Sequence, residues 1–281
     1  DRNVAIGHEA LMTMNPTGDS DNYNVAVGYN AGKAVTTAVQ NTLIGGLAGD
    51  ALTDGSYNVA IGYAALSAED ANGRNVAIGF NSLTSQNAGA DAYNVAVGFK
   101  AGENVSTGTS NTIIGGLAGD ALTGGSANTA IGKDSLTACV DGDFNTAVGF
   151  EALEDYNEGD GNGHNTAIGS QSQRQVTTGE FNTSLGSLSM GSGVTTGDQN
   201  VAIGYATGVS IAAGAFNVLV GNSAGTAITT GTENVAIGHQ ALSTENAHGK
   251  NVAVGHTALL TLDAGADAFN VAVGNSAGKL M

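Results

Sequence analysis

Between Asn58 and Leu66 the chain reads Asn-Val-Ala-Ile-Gly-Tyr-Ala-Ala-Leu, and the same order of polar, apolar and glycine positions returns along its whole length. Aligned on the asparagine, it recurs at Asn3, Asn24, Asn41, Asn58, Asn75, Asn94, Asn111, Asn128, Asn145, Asn165, Asn182, Asn200, Asn217, Asn234, Asn251 and Asn270, most often 17 residues apart and otherwise 18 to 21. Each Asn is followed by Val or Thr, then usually Ala, then Ile, Val or Leu, then Gly. Larger apolar and smaller residues alternate with period two, which predicts a short strand with two unlike faces. Every Tyr and Phe except Tyr156 stands one before the Asn, as Tyr57 does, or one after the Gly, as Tyr63 does. One face therefore reads aromatic, Val, Ile, aromatic, and the other Asn, Ala, Gly. The Val and Ile face is expected to be buried, together with the Thr that follows Asn in six rungs. The small face suits close approach of a second layer or a neighbouring chain.

No single rung buries its apolar face alone, so successive rungs must stack at roughly 4.8 Å, as neighbouring strands do. The expected fold is all-β, a parallel β-roll or β-solenoid of about 16 rungs forming a rod on the order of 70 to 80 Å long. The asparagines then form a structural ladder of amides along the stack. Gly at the strand end fits a bend that other residues resist.

The second half of each rung comes in two kinds. In most rungs it reads Ala-Leu or Ser-Leu, as in Ala65-Leu66, or Ala-Gly, usually followed three places later by an apolar residue, as with Leu52, Val105, Leu122 and Ile228. The order Gly, Gly, Leu, Leu makes a longer rhythm. Residues 1–281 thus read as one β-roll domain, with four-rung units at 24–93, 94–164 and 200–269, a two-rung insert at 165–199 and partial units at both ends. Only the second rung of each unit has a large residue where the others have Ala: Leu43, Ile113 and Leu219. Extra length falls at Pro16 to Gly18, Asn87 to Ala90, Asn157 to Gly161 and Asp263 to Ala266, which predicts loops along one edge.

Composition removes several function classes. Eight Lys and Arg against 25 Asp and Glu, a formal net charge of −17, argue against nucleic acid or an anionic membrane surface as partner. No apolar run approaches membrane-spanning length. Cys139 is the single cysteine, so no disulfide framework exists within the chain, and a buried thiol is expected. The chain opens on Asp1 with the repeat under way at Asn3, which reads as a processed chain or a fragment.

Candidate chemistry is sparse. No glycine turn carries the Lys and Ser or Thr of a phosphate loop, and no nucleophile turn or triad is visible, so no catalytic residue and no enzyme activity are expected. No organic cofactor is expected either. Calcium is the one ion for which the chain offers oxygens: Asp155, Glu158, Asp160 and Asn162 in one loop, and Asp19 and Asp21 in another. Neither loop has the spacing of a dedicated calcium site, and solvated acidic loops are expected. His8, His239 and His256 occupy the ring slot after Gly, where Tyr and Phe stand elsewhere, and are read as ring-shaped substitutes rather than metal ligands. Ice binding requires a regular exposed Thr column, whereas Thr here alternates with Val.

At Asn58 to Leu66 and Asn145 to Leu153 the motif resembles the YadA-like head repeat, a left-handed parallel β-roll found in trimeric autotransporter adhesins. It also resembles repeats of phage tail-fibre and other virion structural proteins, and the resemblance covers essentially the whole chain. It implies a homotrimer of rolls packed about a common axis, an extracellular place on a virion fibre or cell surface, and attachment to a host receptor or glycan. The expected function is a viral fibre segment. The head of a bacterial surface adhesin is the alternative, and a monomeric ice- or calcium-binding solenoid the second alternative.

Overall fold

The computed structural model describes residues 2–15, 21–157, 162–262 and 265–280. Pro16 to Gly18, Asp19, Glu158, Asp160, Gly161 and Asp263, named above in loops, lie outside the described residues. The chain falls into two units, Asp1–Asp143 and Phe144–Met281. The first holds β1 (Val4–Ile6), β2 (Val25–Val27), β3 (Thr42–Ile44), β4 (Val59–Ile61), β5 (Val76–Ile78), β6 (Val95–Val97), β7 (Thr112–Ile114) and β8 (Thr129–Ile131). The second holds β9 (Thr146–Val148), β10 (Thr166–Ile168), β11 (Thr183–Leu185), β12 (Val201–Ile203), β13 (Val218–Val220), β14 (Val235–Ile237), β15 (Val252–Val254) and β16 (Val271–Val273). Within each unit every strand pairs in parallel with the next in sequence and in register, Val59 beside Val76 and Val201 beside Val218. The fold is an all-β parallel β-solenoid, and no helix occurs among the described residues.

Each strand is only three residues long because the chain must bend repeatedly before reaching the next rung. In the Asn58 rung, Tyr57, Ala64 and Leu66 have φ of 64°, 51° and 53°, and Gly62 has φ of 136°. Left-handed non-glycine residues cost on the order of 1 kcal/mol each and persist only where the surroundings over-determine them. Here the neighbouring rungs do so: the N–H of Tyr57 donates to Val39 O at 3.1 Å, that of Ala64 to Gly46 O at 2.9 Å, and that of Leu66 to Ser82 O at 3.0 Å. The glycine after the strand is obligatory for a second reason. A Cβ on Gly79, whose φ is 139°, would lie 2.1 Å from the carbonyl oxygen of Gly98 in the next rung.

The core reverses the expected polarity of the strand. Asn58, Ala60, Ala65 and Leu66 are fully buried, while Val59 and Ile61 are half-buried and Tyr63 is 50 % exposed. A rung that closes within 17 residues leaves an interior thin enough for Ala and one Leu, and the branched and aromatic side chains point outward instead. The Thr after Asn shares that outward face; Thr183 is exposed, so its expected burial is incorrect.

The two rung kinds are two ways of filling the same interior. Outside the rungs at Asn165 and Asn182, where Gln173 and Met190 take the place, the eighth residue after the ladder Asn is either a buried Leu, as Leu66, or a Gly, as Gly49, in the same left-handed conformation (φ 53° and 56°). Where it is Gly in two successive rungs, the second strand supplies the volume. A Cβ on Gly32 or Gly49 would fall 2.6 or 2.8 Å from a methyl of Leu43, and one on Gly208 or Gly225 2.8 or 2.9 Å from a methyl of Leu219. The large residue in the second rung of each four-rung unit thus fills space that two glycines leave. Eleven residues after the Asn the core is completed by Leu52, Cys139 or Tyr156, which explains why Tyr156 alone among the aromatics departs from the two ring slots.

Candidate functional surface

The asparagine ladder runs inside the roll. The Oδ1 of Asn41 accepts the backbone N–H of Asn58 at 2.8 Å, and its Nδ2 donates to Gly55 O at 2.9 Å, across the interior of its own rung. The same pair of bonds recurs at Asn94, Asn111, Asn165 and Asn200. Direct amide-to-amide bonds, such as Asn217 Nδ2 to Asn200 Oδ1 at 3.0 Å, occur in only some rungs. From Asn24 to Asn251 the ladder is buried, so it closes each rung and presents nothing to a partner.

The outward face of the sheet has the opposite character. In each unit the Val or Thr and the Ile or Val columns run between two ridges, one formed by the residue before Asn and the other by the residue after Gly. Among the described residues, nearly all exposed large hydrophobic side chains belong to this face, the exceptions being Met12, Val194 and Leu280. The rings stack over one another: Tyr63 on Phe80 and Phe80 on Phe99, each at 5.5 Å between centroids and within 17° of parallel. Phe144, His164 and Phe181 form a second stack at 4.9 and 5.1 Å. Histidine enters as a ring in these slots, His8 on Tyr29 at 5.4 Å and His239 on His256 at 5.2 Å. Stacking consumes the ring faces and turns the edges outward, giving an apolar strip along the Val, Ile and ring positions that polar slots such as Gln40, Ser110, Ser170, Ser187 and Asn222 interrupt.

Basic residues reinforce the ridge before Asn, a feature the sequence reading missed. Arg74 lies between Tyr57 and Tyr93, 5.4 and 5.6 Å from their centroids, and pairs with Asp91. Asp91 also accepts the N–H of Gly73 at 3.1 Å. Lys250 repeats the arrangement over Phe269 at 5.4 Å, with Asp267 at 2.9 Å, and Asp267 accepts the N–H of Gly249 at 3.0 Å. Arg2, Tyr23 and Asp21 form a third instance, with Arg2 and Asp21 3.2 Å apart. The signal was present: Arg or Lys precedes the Asn in three of the four rungs that carry extra length, at Asn3, Asn75 and Asn251, and Asp stands two before the aromatic that precedes the following ladder Asn. Each set ties a loop-bearing rung to the one after it.

These pairs are part of a wider neutralisation. Arg2, Lys33, Arg74, Lys100, Lys133, Arg174 and Lys250, seven of the eight basic residues, each meet a carboxylate. The remaining acids leave the polar surfaces anionic. Burial pushes the carboxyls of Asp50, Glu69 and Asp120 above their ordinary values, opposed in Glu69 by the hydrogen bond from the Asn72 N–H at 3.0 Å. Glu245, at the equivalent place in the second unit, is fully buried and accepts from His248 N at 3.0 Å.

Of the calcium candidates, Asp155, Asn162 and Asp21 are described; the backbone N–H of Asp155 donates to Arg174 O at 3.0 Å, and Asp21 pairs with Arg2 at 3.2 Å. Among the described residues no three His, Cys, Asp or Glu converge as metal ligands, and there is no enclosed pocket. Cys139 is buried, with Sγ 3.7 Å from Gly142 O, and burial pushes its thiol up to about 12.

Comparison with known protein families, characterised proteins and solved structures finds no match to this chain.

Proposed function

We propose that the chain is a non-enzymatic structural and adhesive fibre segment, assembled as a homotrimer through the outward face of its sheet. The setting that fits is a virion fibre working outside the cell, where it attaches to a host receptor or glycan. The apolar strip carries this reading. Eight rungs at about 4.8 Å and the six steps between seven residues at about 3.3 Å give each unit a face on the order of 750 Å². Apolar along the Val, Ile and ring positions, a face of that size approaches what one partner contributes to a standard interface. The resemblance of the rung to trimeric β-roll heads and phage fibre repeats supplies the number three and the attachment role.

The host contact then falls to the polar edges and loops. With seven of the eight basic residues already paired and an excess of acids, that contact suits neutral glycan hydroxyls or basic protein patches rather than phosphate. Outward Thr columns do not favour ice binding, since in the second unit Thr146, Thr166 and Thr183 give way to Val from Val201 onward.

The test is saturable binding of the labelled full chain to intact cells from a panel of bacterial and animal hosts, with free glycans as competitors. Binding to a restricted set of cells supports attachment. A chain that sediments as a trimer yet binds no cell type removes the adhesive role.

A further inference from the structure

The geometry points to a pH-sensitive release of self-association built from His239 and His256, and this rests on the homotrimer reading above. Four of the five histidines stand in ring slots on the apolar face, but they are not equivalent. His8 has the carboxylate of Glu9 at 4.0 Å, and His164 lies between Phe144 and Phe181, whose faces favour a cation. His239 and His256 instead stack on each other at 5.2 Å and 15°. The side-chain contact of His256 beyond the pair is neutral. His256 Nδ1 lies 3.3 Å from Thr257 Oγ1, which in turn meets Ser276 Oγ at 3.0 Å, and the ring slots before and after the pair hold Asn222 and Asn275. The charged groups on the opposite ridge of these rungs are Glu233 and Lys250, and Lys250 is paired with Asp267 at 2.9 Å.

Seating this face against two further copies removes water from a column of paired imidazoles, and three subunits bring six of them into one band. Protonation then places like charges face to face in an apolar contact, so the assembled state binds protons less readily than separated subunits. By linkage, acidification through the ordinary imidazole range favours dissociation. The carboxylates act in the opposite sense, because acid reduces mutual repulsion between subunits carrying an excess negative charge.

Sedimentation equilibrium of the full chain at pH 7.5 and 5.0 separates these contributions. Wild-type association is expected to weaken more than tenfold at pH 5.0. A variant carrying His239→Tyr and His256→Phe, rings that fill the slot at Tyr63 and Phe80, is expected to hold or strengthen. His239→Asn with His256→Asn, the residue found at Asn222 and Asn275, provides a second variant and is expected to lose the acid response in the same way. A wild-type trimer equally tight at both values overturns the switch and leaves the trimer standing. Equal weakening in wild type and both variants also overturns the switch, and a monomer at both pH values overturns switch and trimer together.

Discussion

If Leu43 fills space left by two glycines, moving that volume to the other side of the rung should restore what each single change destroys. Leu43→Ala opens a fully buried cavity against Gly32 and Gly49, neither of which has a side chain to collapse into it. Such a site belongs at the upper end of the Leu-to-Ala range, about 4 kcal/mol. Gly49→Leu alone drives a Cβ to within 2.8 Å of methyls on Leu43 and Leu52 and puts a branched residue at φ 56°, costing about 3 kcal/mol from overpacking and backbone strain. Independent effects would sum to about 7 kcal/mol.

The double variant instead reproduces the rung that already holds Ala253, Leu259 and Leu262, where Leu259 sits at φ 48°. Only the space beside Gly32 remains unfilled, so its cost should be about 2 kcal/mol, a coupling of about 5 kcal/mol in favour of the pair. Urea denaturation of the four proteins at one subunit concentration, followed by far-ultraviolet circular dichroism, closes the cycle. A double variant as unstable as the sum of the singles would refute the volume exchange between strand and turn.

Three further outcomes follow from the interior. Asn94→Ala removes the acceptor for Asn111 N and the donor to Gly108 O, both at 2.8 Å, and leaves those buried groups unpaired, so the denaturation midpoint should fall by the equivalent of about 4 kcal/mol. The raised carboxyls of Asp50, Glu69 and Asp120 bind protons more tightly in the folded chain, so their contribution to stability is full below the ordinary carboxylate range and is lost as pH rises through their folded values. All three lie in the first unit, and Glu69→Gln should flatten part of that slope in thermal melts from pH 4 to 7. Cys139 should resist a thiol reagent at pH 8 until the chain unfolds, then react stoichiometrically; rapid labelling of the folded chain would contradict its burial.

Much of this architecture was legible in the letters. Invariant Gly and period-two alternation located the strands, and the 17-residue recurrence set their stacking in parallel. The facing of the strand was not legible, because alternation assigns two faces without saying which is inside. Hydrophobicity favoured Val and Ile, whereas the closed rung admits Ala. Nor did the recurrence of Asn disclose that its amide reaches a carbonyl 14 residues ahead, as Asn94 does to Gly108. The Arg74, Tyr93 and Asp91 set was missed for another reason: Arg74 stands 17 and 19 residues before Asp91 and Tyr93 and meets them only once the stack exists.

What the whole account turns on is whether the outward apolar strip is covered by further copies of the chain. Native mass spectrometry at neutral pH tests this most directly. Three copies of a 27.6 kDa chain give about 83 kDa, and Ile61→Asp with Ile78→Asp, placed on the strip but outside the core, should return the mass to that of one chain. A wild-type protein found only at 27.6 kDa would contradict the account.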